Sequence, residues 1–233
     1  MFKATQLSKK FNQNYALQNL NLEVNAGEIF CLLGANGAGK STTLNLFLGF
    51  LTPSDGSASV CGFCPQSAPL EVRRRTLYIP ENVALYEDLT GFENLQYLSA
   101  LAGVKNRNKA TLEDILDKAG LASTAFHKRT KEYSKGMRQK VGIALAIAKD
   151  AKALLLDEPT SGLDPKASVD FHNLISEQRS RGAAILMATH DLFRAKEVAD
   201  RVGVMRQGKL TRVMSTDTLS ANALEEIYLQ EMA

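Results

Sequence analysis

Hydrophobic residues in the first 80 positions recur at the short intervals typical of β-strands. One strand is predicted over Ile29–Leu33, where every residue is apolar, and further strands over residues 2–7, 20–24 and 58–61. The segment 20–24 alternates apolar and polar side chains, which indicates a strand with one buried face. A helical period over residues 41–50 follows the all-apolar strand directly.

Between residues 81 and 137 the apolar residues recur at the spacing of an α-helix. Two apolar faces are predicted there, one formed by Leu95, Leu98, Leu101 and Ala102 and the other by Leu112, Ile115, Leu116 and Ala119. Helices with one apolar face pack against each other, so this stretch predicts a small helical subdomain.

Strands and helices alternate from residue 153 onward. Apolar segments at 153–156, 184–188 and 202–205 are separated by helical segments at 167–181 and 192–199, and a weakly amphipathic helix is predicted over 219–232. Strands connected through helices favour a parallel sheet with helices on its faces. The predicted fold class is therefore α/β, with a β-rich N-terminal part and a helical insertion.

Charge and composition exclude several classes of protein. The 233 residues carry a formal net charge of +3, which is too small to indicate nucleic acid as a partner. The run Arg73-Arg74-Arg75 is interpreted as the solvated face of a helix. No apolar run is long enough to span a membrane, and the N-terminus lacks a hydrophobic signal region. We expect the protein in the cytosol or on the cytosolic face of a membrane.

Three cysteines in such a chain predict thiols rather than a disulfide framework. Cys61-Gly-Phe-Cys64 is a single C-x-x-C motif without a second pair or a nearby histidine. An ordinary loop is the favoured interpretation, and a metal or redox role stays open.

A glycine-rich loop indicates the first chemistry. Gly34-Ala-Asn-Gly-Ala-Gly-Lys40-Ser41 fills the P-loop pattern G-x-x-x-x-G-K-[ST] between the all-apolar strand and a helix. Glycines let backbone N–H groups approach a polyphosphate closely, Lys40 supplies a charge to the β- and γ-phosphates, and the Ser41 hydroxyl can bind Mg²⁺. The loop predicts a nucleoside triphosphate site.

Two carboxylates and a histidine extend this prediction to hydrolysis. Asp157 and Glu158 end an apolar strand, at the sheet edge where parallel sheets form ligand crevices. Asp157 can hold Mg²⁺ and Glu158 can polarise a water in line with the γ-phosphate. His190 follows another apolar strand and can contact the γ-phosphate or orient that water. Each is also common in a purely structural role.

These motifs, taken in order, resemble the series of an ATP-binding cassette (ABC) ATPase. They are the P-loop, Tyr133-Ser-Lys-Gly-Met-Arg-Gln139, Leu154-Leu-Leu-Asp-Glu-Pro159, Ser161-Gly-Leu-Asp164 and Thr189-His190. The resemblance implies the P-loop NTPase fold of that family as a single domain, with a mixed sheet in the core, an antiparallel β part at the N-terminus and an inserted helical subdomain. Its ATP-binding core would comprise residues 1–80 and 151–215, its helical subdomain residues 81–150, and its C-terminal helical tail residues 216–233.

The resemblance also implies roles for individual residues. Glu158 and His190 would be catalytic, and Ser41, Glu81 and Asp157 would bind Mg²⁺. The residues that would contact ATP are Phe11, which matches the position that stacks on adenine, then Gly34, Asn36, Gly37, Ala38, Gly39, Lys40, Ser41 and Thr42, and in the second copy Ser134, Gly136 and Asp164. Tyr15 is a competing aromatic candidate, and Ser134 is also a plausible N-cap.

Two positions depart from the usual pattern of the family. Glu81 stands where most cassettes have glutamine, and its anionic oxygen can still approach Mg²⁺ but repels ATP without a metal. Lys135 replaces a glycine of the signature and adds positive charge facing the nucleotide of the other copy. Both departures are similar to exporter cassettes that serve drug, polysaccharide and copper-enzyme maturation systems.

The leading functional hypothesis is an ATPase subunit that dimerises around ATP and Mg²⁺, as a homodimer or a heterodimer, and powers a separate transmembrane permease. We expect the permease to dock near residues 83–92. A soluble cassette acting on a ribosome or DNA is the alternative, although such proteins usually carry two cassettes or long coiled-coil arms. A sensor without turnover would be expected to lack Glu158 or His190.

Overall fold

The computed structural model describes residues 1–232, which divide into two compact units. The first unit contains residues 1–78, 152–158 and 179–232, and the second contains residues 79–151 and 159–178. The first unit is built around β-sheets and the second is helical.

The strands of the described chain form two sheets. In chain order they are β1 Phe2–Phe11, β2 Asn14–Val24, β3 Ile29–Leu33, β4 Asp55–Val60, β5 Thr76–Ile79, β6 Ala153–Asp157, β7 Ala184–Thr189, β8 Arg201–Arg206 and β9 Lys209–Ser215. One sheet has the order β2-β1-β4 and is antiparallel, and the other has the order β5-β6-β7-β3-β8-β9. In the larger sheet β6, β7, β3 and β8 pair in parallel and β9 runs antiparallel to β8. The α/β fold class with an antiparallel N-terminal part is confirmed.

Helices connect these strands and make up most of the second unit. They are α1 Lys40–Phe47, α2 Pro69–Arg75, α3 Gly91–Leu101, α4 Lys109–Lys118, α5 Lys135–Lys149, α6 Pro165–Ser180, α7 Leu192–Val198 and α8 Ala221–Met232. Polar side chains start several of them: Thr90 and Glu93 form a capping box on α3, and Asn108 caps α4. Such caps satisfy backbone N–H groups that have no partner within the helix. None of the helices in residues 1–232 is both long and apolar enough to cross a membrane.

The core of the first unit is continuous from the antiparallel sheet to the helix that follows the P-loop. Phe2 of β1 and Phe47 of α1 are both fully buried, and their rings meet edge to face with centroids 5.3 Å apart. Aromatic pairs in this geometry add to the stabilisation from burial. This contact anchors the end of α1 and therefore helps to fix the loop at its start.

The helical unit confirms one predicted apolar face and corrects the other. Leu112, Leu116 and Ala119 are buried on and just after α4, as predicted. On α3 Leu95 is buried as predicted and Leu98 is half-buried, but Leu101 is 67% exposed, and the other buried positions are Gly91, Asn94 and Ser99. Leu101 lies six residues after Leu95, which at 3.6 residues per turn places it well around the helix from the packed face.

Other sequence expectations also differ in extent. The helix predicted to reach residue 50 ends at Phe47, because the chain turns at Gly49 with φ of 73° and leaves Phe50 exposed. The strand β9 was not predicted, since most of its side chains are exposed and provide little hydrophobic signal. On α5 the buried residues are Gln139, Val141, Ile143, Ala144 and Ala146.

Replacing Phe47 by alanine is expected to destabilise the protein by about 3–5 kcal/mol, because it removes a fully buried ring and leaves a cavity beside Phe2. Phe50→Ala is the matched control, and since Phe50 is 63% exposed its effect is expected to stay within about 0.5 kcal/mol. Urea unfolding followed by circular dichroism measures both. Equal effects of the two substitutions would contradict this description of the core.

Candidate active site

The P-loop connects β3 to α1 and depends on two glycines for its path. Gly39 has φ of 106°, and a Cβ added there would lie 2.7 Å from the Ala16 carbonyl oxygen. A Cβ added at Gly34 would lie 2.5 Å from the carbonyl oxygen of Met205. Both positions therefore exclude larger residues, for reasons of conformation at Gly39 and of space at Gly34. Between them the loop residues Ala35, Asn36 and Gly37 are exposed, and Ala38 is buried.

Lys40 lies at the start of α1 with its side chain turned back over the loop. Its Nζ donates hydrogen bonds to the carbonyl oxygens of Gly34, at 2.6 Å, and Ala35, at 3.3 Å. Burial lowers the pKa of Lys40, and the Glu158 and Asp157 carboxylates oppose that shift. The ammonium group is therefore held by the P-loop backbone close to the acidic pair.

Asp157 receives hydrogen bonds on both carboxylate oxygens. The Ser41 hydroxyl donates to Oδ1 and the Tyr78 hydroxyl to Oδ2, each at 3.4 Å. Burial raises the pKa of Asp157, and these two hydrogen bonds act in the opposite direction. Burial, reinforced by the charge of Asp157, raises the pKa of Tyr78 to about 12, so this phenol is a hydrogen-bond donor at neutral pH.

Glu158 is the most constrained side chain of the site. Its φ of 45° is in the left-handed region, which is uncommon for a residue other than glycine, and its N–H donates to the Ala188 carbonyl oxygen at 2.8 Å. His190 Nδ1 lies 2.9 Å from Oε1, and the Thr189 hydroxyl donates to Oε2 at 3.1 Å. Lys40 Nζ lies 3.8 Å from Oε1. The carboxylate is thus oriented by three side chains from two segments, the end of β7 with the residue after it and the start of α1.

The oxygen donors present fit a magnesium ion that is shared with a phosphate. Ser41 Oγ and Asp157 Oδ1 lie 3.4 Å apart and are the hard oxygen ligands that Mg²⁺ prefers. Residues 1–232 contain no group of three or more His, Cys, Asp or Glu side chains able to hold a metal ion by themselves. This agrees with the way Mg²⁺ binds in phosphoryl-transfer sites, where one or two protein ligands act together with substrate phosphates.

The two aromatic candidates for adenine stacking lie on the hairpin formed by β1 and β2. Phe11 is 46% exposed and Tyr15 is 47% exposed, so accessibility does not separate them. Each ring also has an ammonium group over it, from Lys9 at 5.0 Å from the Phe11 centroid and from Lys10 at 5.2 Å from the Tyr15 centroid.

The remaining candidate residues, Ser134, Gly136, Asp164 and Glu81, belong to the helical unit. Ser134 is the N-cap of α5, since its hydroxyl accepts from Met137 N at 3.2 Å. Gly136 faces Ala167, whose Cβ would lie 3.3 Å from an added Cβ. Asp164 Oδ1 accepts from Ala167 N at 2.9 Å at the start of α6, and Glu81 forms an ion pair with Lys135.

Two residues at the site had no role predicted from the sequence, although one of them, Thr189, belongs to the motif Thr189-His190. Tyr78 and Thr189 hold Asp157 and Glu158 through their hydroxyl groups. Both lie at the carboxyl ends of strands, as Asp157 does, and this shared position is the signal that could have identified them.

Comparison with known proteins identifies the family to which the chain belongs. The family model for the ABC transporter matches residues 17–161. The chain is 37% identical over 231 residues to the uncharacterized ABC transporter ATP-binding protein YdbJ of Bacillus subtilis, covering 97% of this chain and 74% of YdbJ. It is 31% identical to the lantibiotic transport ATP-binding protein SrtF of Streptococcus pyogenes, covering 98% of this chain and 96% of SrtF.

A solved structure described as an ATP-binding subunit of an ABC transporter superposes with a TM-score of 0.86 at 30% identity, and the alignment covers 100% of both chains. The chain therefore belongs to the ABC transporter family and is one of its ATP-binding, ATP-hydrolysing subunits.

Proposed function

We propose that two copies of this chain, or one copy and a related cassette, close around ATP and Mg²⁺ and drive export through a separate membrane permease. The single observation that carries the catalytic part is the orientation of the Glu158 carboxylate by His190, Thr189 and Lys40. A base held by several donors in a fixed position needs little reorganisation when the reaction occurs.

In this proposal Glu158 accepts a proton from the water that attacks the γ-phosphate. His190, whose side chain is 61% exposed, orients that water or contacts the γ-phosphate, and its contact with Glu158 keeps the two groups together. Lys40 exchanges its carbonyl partners for the β- and γ-phosphates, since a charged phosphate is a stronger acceptor than a neutral carbonyl.

The residues proposed to bind ATP and Mg²⁺ position the triphosphate and compensate its charge. The backbone of residues 36–42 wraps the phosphates, Ser41 and Asp157 hold Mg²⁺ and Glu81 is a further candidate ligand, while Phe11 stacks on the base. Mg²⁺ supplies neutralisation of the charge that develops between the β- and γ-phosphates.

The second copy completes each site through Ser134 and Gly136, with Asp164 in the segment that links the two sites. Support comes from α5, a 15-residue helix whose N-terminus carries Ser134 as cap. The N–H groups and dipole of a helix N-terminus favour a phosphate group. Closure then depends on the triphosphate, and hydrolysis lowers the affinity between the two copies.

The transport role rests on family membership and on the similarity to SrtF. We place the subunit on the cytosolic face of the cell membrane, with the permease contacting the segment 83–92 and the helices that follow it. Tyr86 of that segment is 53% exposed, and its ring packs edge to face on Tyr97 of α3 with centroids 5.1 Å apart. These exposed rings support a protein-binding surface.

Replacing Glu158 by glutamine is expected to lower kcat by about 10²–10⁴-fold, because the amide cannot accept the proton. ATP affinity is expected to persist, so light scattering should detect an ATP-dependent dimer that accumulates in this variant. Glu226→Gln, at an exposed position on α8, is the matched control and should keep the parent kcat. Unchanged turnover in the Glu158 variant would remove this residue from the role of base.

Replacing Thr189 by valine is expected to reduce kcat by about 10-fold with little change in KM for ATP, since it removes a hydroxyl that orients Glu158 without touching the nucleotide. The same hydroxyl accepts from Asp191 N at 3.1 Å, so Thr189→Ser, which keeps it, is the control and should recover most of the lost rate. Steady-state kinetics of the three proteins measures the effect. A serine variant as slow as the valine variant would contradict the positioning role.

A further inference from the structure

The two positions at which the chain departs from the usual family pattern are in contact with each other. Lys135 Nζ lies 3.4 Å from Glu81 Oε1, and the Ser161 hydroxyl donates to the same oxygen at 3.1 Å. All three residues belong to the helical unit. One carboxylate oxygen therefore connects the loop after β5, the first residue of α5 and the segment that precedes α6.

The backbone at Glu81 also forms a hydrogen bond with a side chain of α5. Gln139, only 1% exposed on α5, donates from Nε2 to the carbonyl oxygens of Pro80, at 3.4 Å, and Glu81, at 3.1 Å. Lys135 lies one turn before Gln139 on the same helix. The helix thus fixes both the backbone at residue 81 and the cation that its carboxylate meets.

The position of Lys135 is electrostatically unfavourable without an anion. It is the first residue of α5, where the helix dipole places partial positive charge and where a lysine is repelled. Glu81 supplies a compensating negative charge, since its Oε1 lies 3.4 Å from Lys135 Nζ. A triphosphate brought to this helix end by a second copy would supply more negative charge than a single carboxylate does.

The ion pair is too exposed to be explained as a source of stability. The side chains of Lys135 and Glu81 are 26% and 47% exposed, and pairs of this kind contribute little to folding. The same modest interaction is still large enough to shift an equilibrium between two partners several-fold. An ion pair of this strength is better suited to competing with another anion than to stabilising the fold.

We propose that Glu81 and Lys135 form a matched pair in which the carboxylate competes with the triphosphate of the second copy for the lysine. The proposal rests on the proposed ATP-dependent dimer. In the open state Lys135 pairs with Glu81, and on closure it pairs with the triphosphate, which leaves Glu81 with the Ser161 hydroxyl. The pair thereby sets the ATP concentration at which the dimer closes.

Light scattering during ATP titration tests this in the Glu158→Gln background, where closure is measured without turnover. Glu81→Gln is expected to lower the ATP concentration at half-maximal dimerisation by about 3- to 5-fold, because it removes the carboxylate that competes for Lys135 while the amide oxygen can still accept from Ser161. Lys135→Met keeps the apolar stem without the charge, and is expected to raise that concentration by about 5-fold. In the double variant the Glu81 substitution is expected to have almost no further effect.

The control is Asp170→Asn, which breaks another ion pair of the same unit, formed by Asp170 with Lys140 of α5 at 3.2 Å. It should leave the half-maximal concentration within about 2-fold of the parent. If Glu81→Gln changes the half-maximal ATP concentration equally in the presence and absence of Lys135, the matched pair is wrong. It is also wrong if Lys135→Met dimerises at the same ATP concentration as the parent. Failure of the Glu158→Gln parent to dimerise at any ATP concentration would instead overturn the proposed function, and the inference with it.

Discussion

The parallel pairing of β3, β7 and β6 is the constraint on which the active site depends. Leu33 pairs with Thr189 and Asp157 pairs with Ala188, so three strands end at the same level of the sheet. The residues just beyond these ends are Gly34, Glu158 and His190. The backbone hydrogen bonds of the sheet thus bring the P-loop, the candidate base and the histidine together, although the P-loop lies more than a hundred residues before the other two.

A shift of one residue in either pairing would turn each side chain to the opposite face of the sheet. Because β3 and β7 are buried at every position, such a shift would require the core to repack on both faces of the sheet. The left-handed backbone of Glu158 is a local cost of this arrangement, and the surrounding hydrogen bonds from Thr189 and to Ala188 hold it in place. Strain of this kind persists where the neighbouring structure determines the geometry.

Much of this could be predicted from the sequence because the signals are local. The P-loop lies between a fully apolar strand and a helix, and the acidic pair and the histidine each end an apolar segment, so their meeting at one sheet edge follows from parallel topology. The roles of Tyr78 and Thr189 escaped prediction because a hydroxyl at a strand end has no distinctive spacing. The spacing of apolar residues predicts burial only where a segment has one clearly apolar face. It therefore missed the mostly exposed strand β9 and wrongly predicted that Leu101 is buried. The contact between Glu81 and Lys135 is a tertiary contact across 54 residues, and only the structure reveals it.

The proposed function requires that the P-loop and the acidic pair bind ATP together with Mg²⁺. The most direct measurement is an isothermal titration of the full chain with ATP, with and without Mg²⁺, alongside a Lys40→Ala variant. The structure predicts saturable binding of one ATP per chain that strengthens with Mg²⁺ and is largely lost in the variant. Absence of binding by the full chain, or equal binding by the variant, would contradict the account.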